Sequence, residues 1–169
     1  MVSVISLFAV ALTFVFSGFS KLISIRGSSE FAENLGIFPP KIGSILGFFM
    51  PFVELFVGLG LLLFTRVYIL VIAYGIIFFF LALNMKFILE RKEMNCFCYG
   101  NILESKLGKG GFIHYIYLLV ALGVGSMSID QDIIKVIYNV DSINLVFVIL
   151  TMLLLAANSI IIQLVIDKA

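Results

Sequence analysis

The sequence predicts an all-α integral membrane protein, a four-helix transmembrane bundle followed by a fifth, C-terminal transmembrane helix. Three observations carry this reading. Of its 169 residues 62% are apolar and only 12% charged, with a mean hydropathy of +1.21, whereas soluble domains run nearer half apolar and a quarter charged. Its 18 phenylalanines are spread over the apolar runs, too many for one small soluble core to bury. Finally, five apolar stretches reach, or nearly reach, the roughly 20 helical residues that a hydrocarbon core requires.

These stretches run over about 2–25, 42–64, 67–89, 112–129 and 143–166. Within lipid each must be helical, because its backbone has no water to bond. The first is read as a retained helix: it has no basic leader, is longer than a secretory signal core and shows no small-x-small cleavage site. Between the first two stretches, Ser29-Glu30-Phe31-Ala32-Glu33-Asn34-Leu35 has a capping residue, early acids and spaced apolar positions, which predicts a short interfacial helix. Pro39-Pro40 then stops that helix and starts the next. A tight connection at Thr65-Arg66 makes the second and third stretches an antiparallel hairpin. Gly43 and Gly47 form a small-xxx-small pair suited to close helix approach. No repeat or linker divides the chain, so a single transmembrane domain over 1–169 is expected.

Charge narrows the function. The net charge of +1 provides no basic stripe for nucleic acid. Lys21, Arg26, Lys41, Lys86, Arg91, Lys92, Lys106, Lys109 and Lys168 fall on one side, against Arg66 and Lys135 on the other. The positive-inside rule then puts the N-terminus outside and the loop over about 90–111 in the cytoplasm.

That loop holds both cysteines of the chain, in Asn95-Cys96-Phe97-Cys98-Tyr99-Gly100. A disulfide across one residue closes a tiny ring and removes little unfolded-chain entropy, so stability is not its purpose. Thiolate is the reactive form, and Arg91, Lys92, Lys106 and Lys109 in the same loop favour it. Exchange with a partner thiol would run through a mixed disulfide. Metal capture is the competing chemistry. Structural zinc takes four nitrogen or sulfur ligands, and the loop offers one pair plus His114; two thiolates alone suit only a soft ion such as Cu(I). No metal site is expected. His114 is read as an interfacial histidine, with a lesser role as base or cation beside the thiols.

Glu54 lies deep in the second stretch, three residues after Pro51. An acid at that depth costs a few kcal/mol even on the milder insertion scales, so it must face the bundle and find a partner. Lys21, near the end of the first stretch, is the candidate cation. Pro51 frees a carbonyl one turn earlier and can open space near the acid. The pair can be a packing lock or part of a reaction; the residues leave both open. Asn84, Asn158 and Gln163 are expected to form interhelical hydrogen bonds.

Taken in order, Ser17-Gly18-Phe19-Ser20-Lys21-Leu22, Pro51-Phe52-Val53-Glu54-Leu55-Phe56-Val57-Gly58 and Cys96-Phe97-Cys98-Tyr99-Gly100 resemble the MauE/DoxX-like redox-associated membrane proteins. That family shows G-x-x-K-L, P-x-x-E-x-x-x-G and C-x-C-F-G in this order over about the first 120 residues. Here Tyr99 stands for the usual Phe, Phe97 where Gly is common, and His114 near a frequent Arg or Asn. The acidic lead-in at Asp130 and Asp132 and the fifth helix extend beyond the motif set. The resemblance implies a membrane component of disulfide chemistry working beside a thioredoxin-like protein or a disulfide-bearing substrate. It implies Cys96 and Cys98 as the redox pair, Lys21 and Glu54 as tuning or positioning groups, and a quinone as electron acceptor. Two other readings stand beside this thiol–disulfide oxidoreductase: a non-catalytic accessory subunit for maturation or export of a peptide or membrane partner, and a small transporter or metal-handling protein using Glu54 and Lys21.

Overall fold

In the computed structural model, residues 2–64, 66–90, 94–96, 105–127 and 142–168 are described. Their elements are α1 (Val2–Ile23), α2 (Ile25–Asn34), α3 (Pro40–Leu63), α4 (Val67–Glu90), strands β1 (Met94–Cys96) and β2 (Ser105–Leu107), α5 (Lys109–Ser126) and α6 (Ser142–Lys168). Apart from the two short strands these are all helices, and α1, α3 and α4 are long and apolar enough to cross a membrane. The 18-residue α5 is shorter, and α6 carries an apolar stretch over Ile149–Gln163. The chain is an all-α integral membrane protein.

Its core is what a membrane bundle requires. Leu7, Val10, Ala11 and Phe14 of α1, Val57 and Leu61 of α3, Ala73, Ile77 and Phe80 of α4, and Leu118 and Leu122 of α5 meet in one buried cluster. Phe48, Phe49, Phe52 and Phe56 of α3 and Phe78 and Phe79 of α4 stay exposed. On a soluble protein such a surface would drive association; here it is the face that lipid covers.

The boundaries of the long helices follow the apolar runs within a few residues. The interfacial helix begins at Ile25, earlier than the expected Ser29, so it follows α1 after a break at Ser24. It is amphipathic: Arg26, Glu30, Glu33 and Asn34 are exposed, while Ser28 is buried with Phe31, Ala32 and Leu35 half-buried on the opposite side. Pro40 opens α3 at its first position, where the missing N–H costs nothing.

Pro51 lies inside α3. Lacking an N–H, it leaves the carbonyl of Gly47, four residues back, without its helical partner. Ser28 Oγ of α2 donates to that carbonyl at 2.8 Å, so α2 repairs the helix that it packs on. The repair needs contact between backbones. A Cβ on Gly47 would collide with the Ser28 carbonyl and Ala32, and one on Gly43 would sit 2.9 Å from the Ala32 carbonyl oxygen. The small-xxx-small pair is therefore the seat of α2.

Candidate functional site

Two glycines set the geometry. A Cβ on Gly18 of α1 would lie 2.8 Å from the Leu55 nitrogen and 2.9 Å from the Pro51 oxygen, and a Cβ on Gly58 of α3 would lie 2.8 Å from the Val15 nitrogen. Only bare backbone lets α1 and α3 come this close. Lys21 is one turn past Gly18, and Glu54 one turn before Gly58, so the same approach aligns the charged side chains.

The charged pair meets. Lys21 Nζ donates to Glu54 Oε1 at 2.5 Å, with the two side chains 4% and 2% exposed. Ser17 Oγ, one turn before Lys21, donates to Glu54 Oε2 at 2.8 Å. Each carboxylate oxygen thus has its own donor, the condition for holding a charge out of water. The Lys21 ammonium also stands 5.0 Å from the centre of the Phe80 ring on α4, a cation–π contact. Phe80 in turn stacks on Tyr115 of α5, with centroids 5.2 Å apart and planes 5° from parallel. Three helices therefore meet at one ion pair, with α5 stacked behind the third.

His114 of α5 belongs to this centre. The sequence reading expects it at the interface beside the thiols; instead it is 2% exposed and lines a cavity with Thr13, Ser17, Glu54, Phe80 and Tyr115. Burial follows from its place on α5, one residue before Tyr115 and four before Leu118, both in the core cluster. The cavity is polar where Ser17, Glu54 and His114 face it and can hold water, which needs two to four such partners. A second, apolar pocket, open on one side, lies on the α2 side of Lys21, walled by Phe31, Leu46, Met50, Phe79, Phe80 and Leu83.

The cysteine loop is described only in part. Cys96 ends β1, which pairs antiparallel with β2 in the register Met94↔Leu107, Asn95↔Lys106 and Cys96↔Ser105. The side chain of Cys96, together with Cys98 and the flanking Arg91 and Lys92, lies outside the described residues. The strand pair leads into α5, and β2 packs on α4, α5 and α6. The hairpin bearing Cys96 is thus anchored to the end of the bundle.

Of the other expected contacts, Asn84 bonds not to a neighbouring helix but to the turn before α5: it accepts from the Gly108 N–H at 3.0 Å. Asn158 is exposed on α6. Gln163 is buried with neither amide atom hydrogen-bonded. Sequence reasoning did not single out Ser28 or Phe80. The first could have been found from the carbonyl that Pro51 strands; nothing in the sequence distinguishes Phe80 among 18 phenylalanines. Among the described residues there is no cluster of three or more His, Cys, Asp or Glu side chains able to hold a metal ion.

The arrangement that brings Gly18, Lys21, Pro51, Glu54 and Gly58 into one contact falls within a family match. Residues 1–128 match the model described as Methylamine utilisation protein MauE. The chain belongs to the MauE family. The match takes in α1 to α5 and the hairpin and stops short of α6; it names MauE and does not extend to the wider DoxX likeness. No curated protein and no solved structure matched the chain.

Proposed function

We propose that this MauE-family membrane protein is a thiol–disulfide redox protein that exchanges electrons with a partner through Cys96 and Cys98. One observation carries the proposal: of the only two cysteines in the sequence, one residue apart, Cys96 ends a strand of a hairpin anchored to the bundle end. Written in the oxidising direction, a partner thiolate attacks the Cys96–Cys98 disulfide and forms a mixed disulfide. The partner's second thiolate displaces that link, leaving an oxidised partner and two cysteine thiols that have gained two electrons. A quinone, when bound, would take those two electrons with two protons and become a quinol.

The residues present fit such a group. The apolar cavity beside α2 offers Phe79, Phe80, Met50 and Leu83 as walls for a ring. Lys21 supplies an ammonium with donors beyond the one given to Glu54. Glu54, outside the lining of this cavity, holds the buried Lys21 ammonium in place from behind. His114 and Glu54 line the adjoining polar cavity. The charge pattern favours a cytoplasmic hairpin, so the partner would be a cytoplasmic thiol protein of the thioredoxin type.

The test is the double variant Cys96→Ser/Cys98→Ser, assayed in membranes for oxidation or reduction of a thioredoxin-like protein. Loss of exchange to background at normal insertion supports the proposal. Full exchange by the double variant would leave the accessory or transport readings, and Glu54→Gln would then separate those two by its effect on accumulation of a transported solute.

A further inference from the structure

Where β2 becomes α5, a single residue makes the turn. Gly108 has φ 150° and ψ −140°, a conformation that side chains other than hydrogen rarely allow. Its N–H is taken up by Asn84 Oδ1 on α4, and its carbonyl starts α5 by accepting from the Phe112 N–H at 2.9 Å.

Asn84 is itself held. It is 0% exposed, and its Nδ2 donates to the Phe80 carbonyl one turn back at 2.8 Å, which fixes the way the amide faces. Gly111 lies against the same amide so closely that any Cβ there would overlap it. Asn84, Gly108 and Gly111 are therefore one fitted joint, made of a buried amide, a backbone turn open to glycine and a bare helix surface. This gives Gly108 and Gly111 each a structural reason. It also explains why α5 starts at Lys109, three residues before the expected start at Phe112.

The joint lies close to the redox loop. Cys96 pairs with Ser105, which is three residues from Gly108, about 10 Å of strand at ~3.3 Å per residue. We propose that Asn84 is the positioning residue for Cys96. By pinning Gly108 it fixes where the strand pair leaves the bundle, and with it the place at which a folded partner must present its sulfur. The role in exchange rests on the redox reading above; the role in placing the hairpin does not. Exchange requires an in-line approach of sulfur to sulfur. A small disulfide can reorient to meet a displaced thiol, whereas a folded protein has to match a fixed surface.

Spin-label distances on the full chain in lipid nanodiscs test this. One nitroxide is placed on Cys96 in a Cys98→Ser background, the other on α2 through Asn34→Cys, an exposed site. With Asn84 intact the distance distribution should be narrow. Asn84→Leu, similar in size but unable to bond, should at least double its width, and Asn84→Asp, measured at low pH where its carboxyl offers both an acceptor for Gly108 and a donor for the Phe80 carbonyl, should restore it. In the two-cysteine protein, Asn84→Leu should slow exchange with oxidised thioredoxin about 10-fold and exchange with glutathione disulfide by no more than about twofold. If Asn84→Leu does not insert, Gly111→Ala displaces the same amide and is read by the same distance. Equal widths in all variants, or an Asp variant as broad as the Leu variant, would overturn the proposal. If the parent protein exchanges with neither probe, the redox reading fails on its own while the distances still decide the role of Asn84.

Discussion

Helices α1 and α3 bury polar groups and satisfy them; among its described side chains, α6 buries one and does not. In the first pair Lys21, Ser17 and Glu54 bond to one another, and Ser28 of α2 takes up the carbonyl that Pro51 strands. In α6 the Gln163 amide is equally buried with neither atom partnered, and Asn158 faces outward. The family match covers α1 and α3 but not α6. A polar residue in a membrane helix is thus no evidence of a site until its partners are found. Where partners exist, they sit at backbones brought together by glycine.

That contrast can be broken or sharpened by substitution. The largest effect is expected at the ion pair. Lys21→Met or Glu54→Leu alone leaves a buried charge without its partner and should cost roughly 3–5 kcal/mol, whereas the double variant should recover most of it. Thermal unfolding in detergent reads both. Two additive losses would show that the pair is not coupled.

A smaller loss is expected at the α2 seat. Ser28→Ala leaves the Gly47 carbonyl with no donor from α2 and should destabilise by about 1–3 kcal/mol, seen as a lower Tm. An unchanged Tm would mean that another donor reaches the carbonyl. The smallest effect has the opposite sign. Gln163→Leu replaces an unsatisfied buried amide with an apolar side chain of similar size and should stabilise by about 1 kcal/mol. A loss there would show that the amide holds a guest.

The fold was largely legible in the sequence because lipid permits so few solutions. Apolar runs of spanning length must be helices, and their ends fell within a few residues of the predicted ones. The Lys21–Glu54 pair was legible for a related reason: an acid that deep requires a partner, and few cations are within reach. Other features depend on depth and rotation about the helix axis, which hydropathy does not encode. His114 reads as interfacial because it is near the start of an apolar run, yet α5 begins earlier and turns it into the bundle. Ser28 looks like one serine among several in a polar connection until Pro51 gives it a carbonyl to bond. Asn84 reads as a generic interhelical bond, and only the backbone of Gly108 shows what it holds.

The central claim is that Cys96 and Cys98 form a working redox pair. Thiol trapping in intact cells tests it most directly, comparing membrane-permeant and impermeant maleimides before and after reduction. The account predicts that a fraction of the protein labels only after reduction, with the permeant reagent alone. Complete labelling of both cysteines without reduction, in growing cells and under oxidising conditions alike, would contradict it.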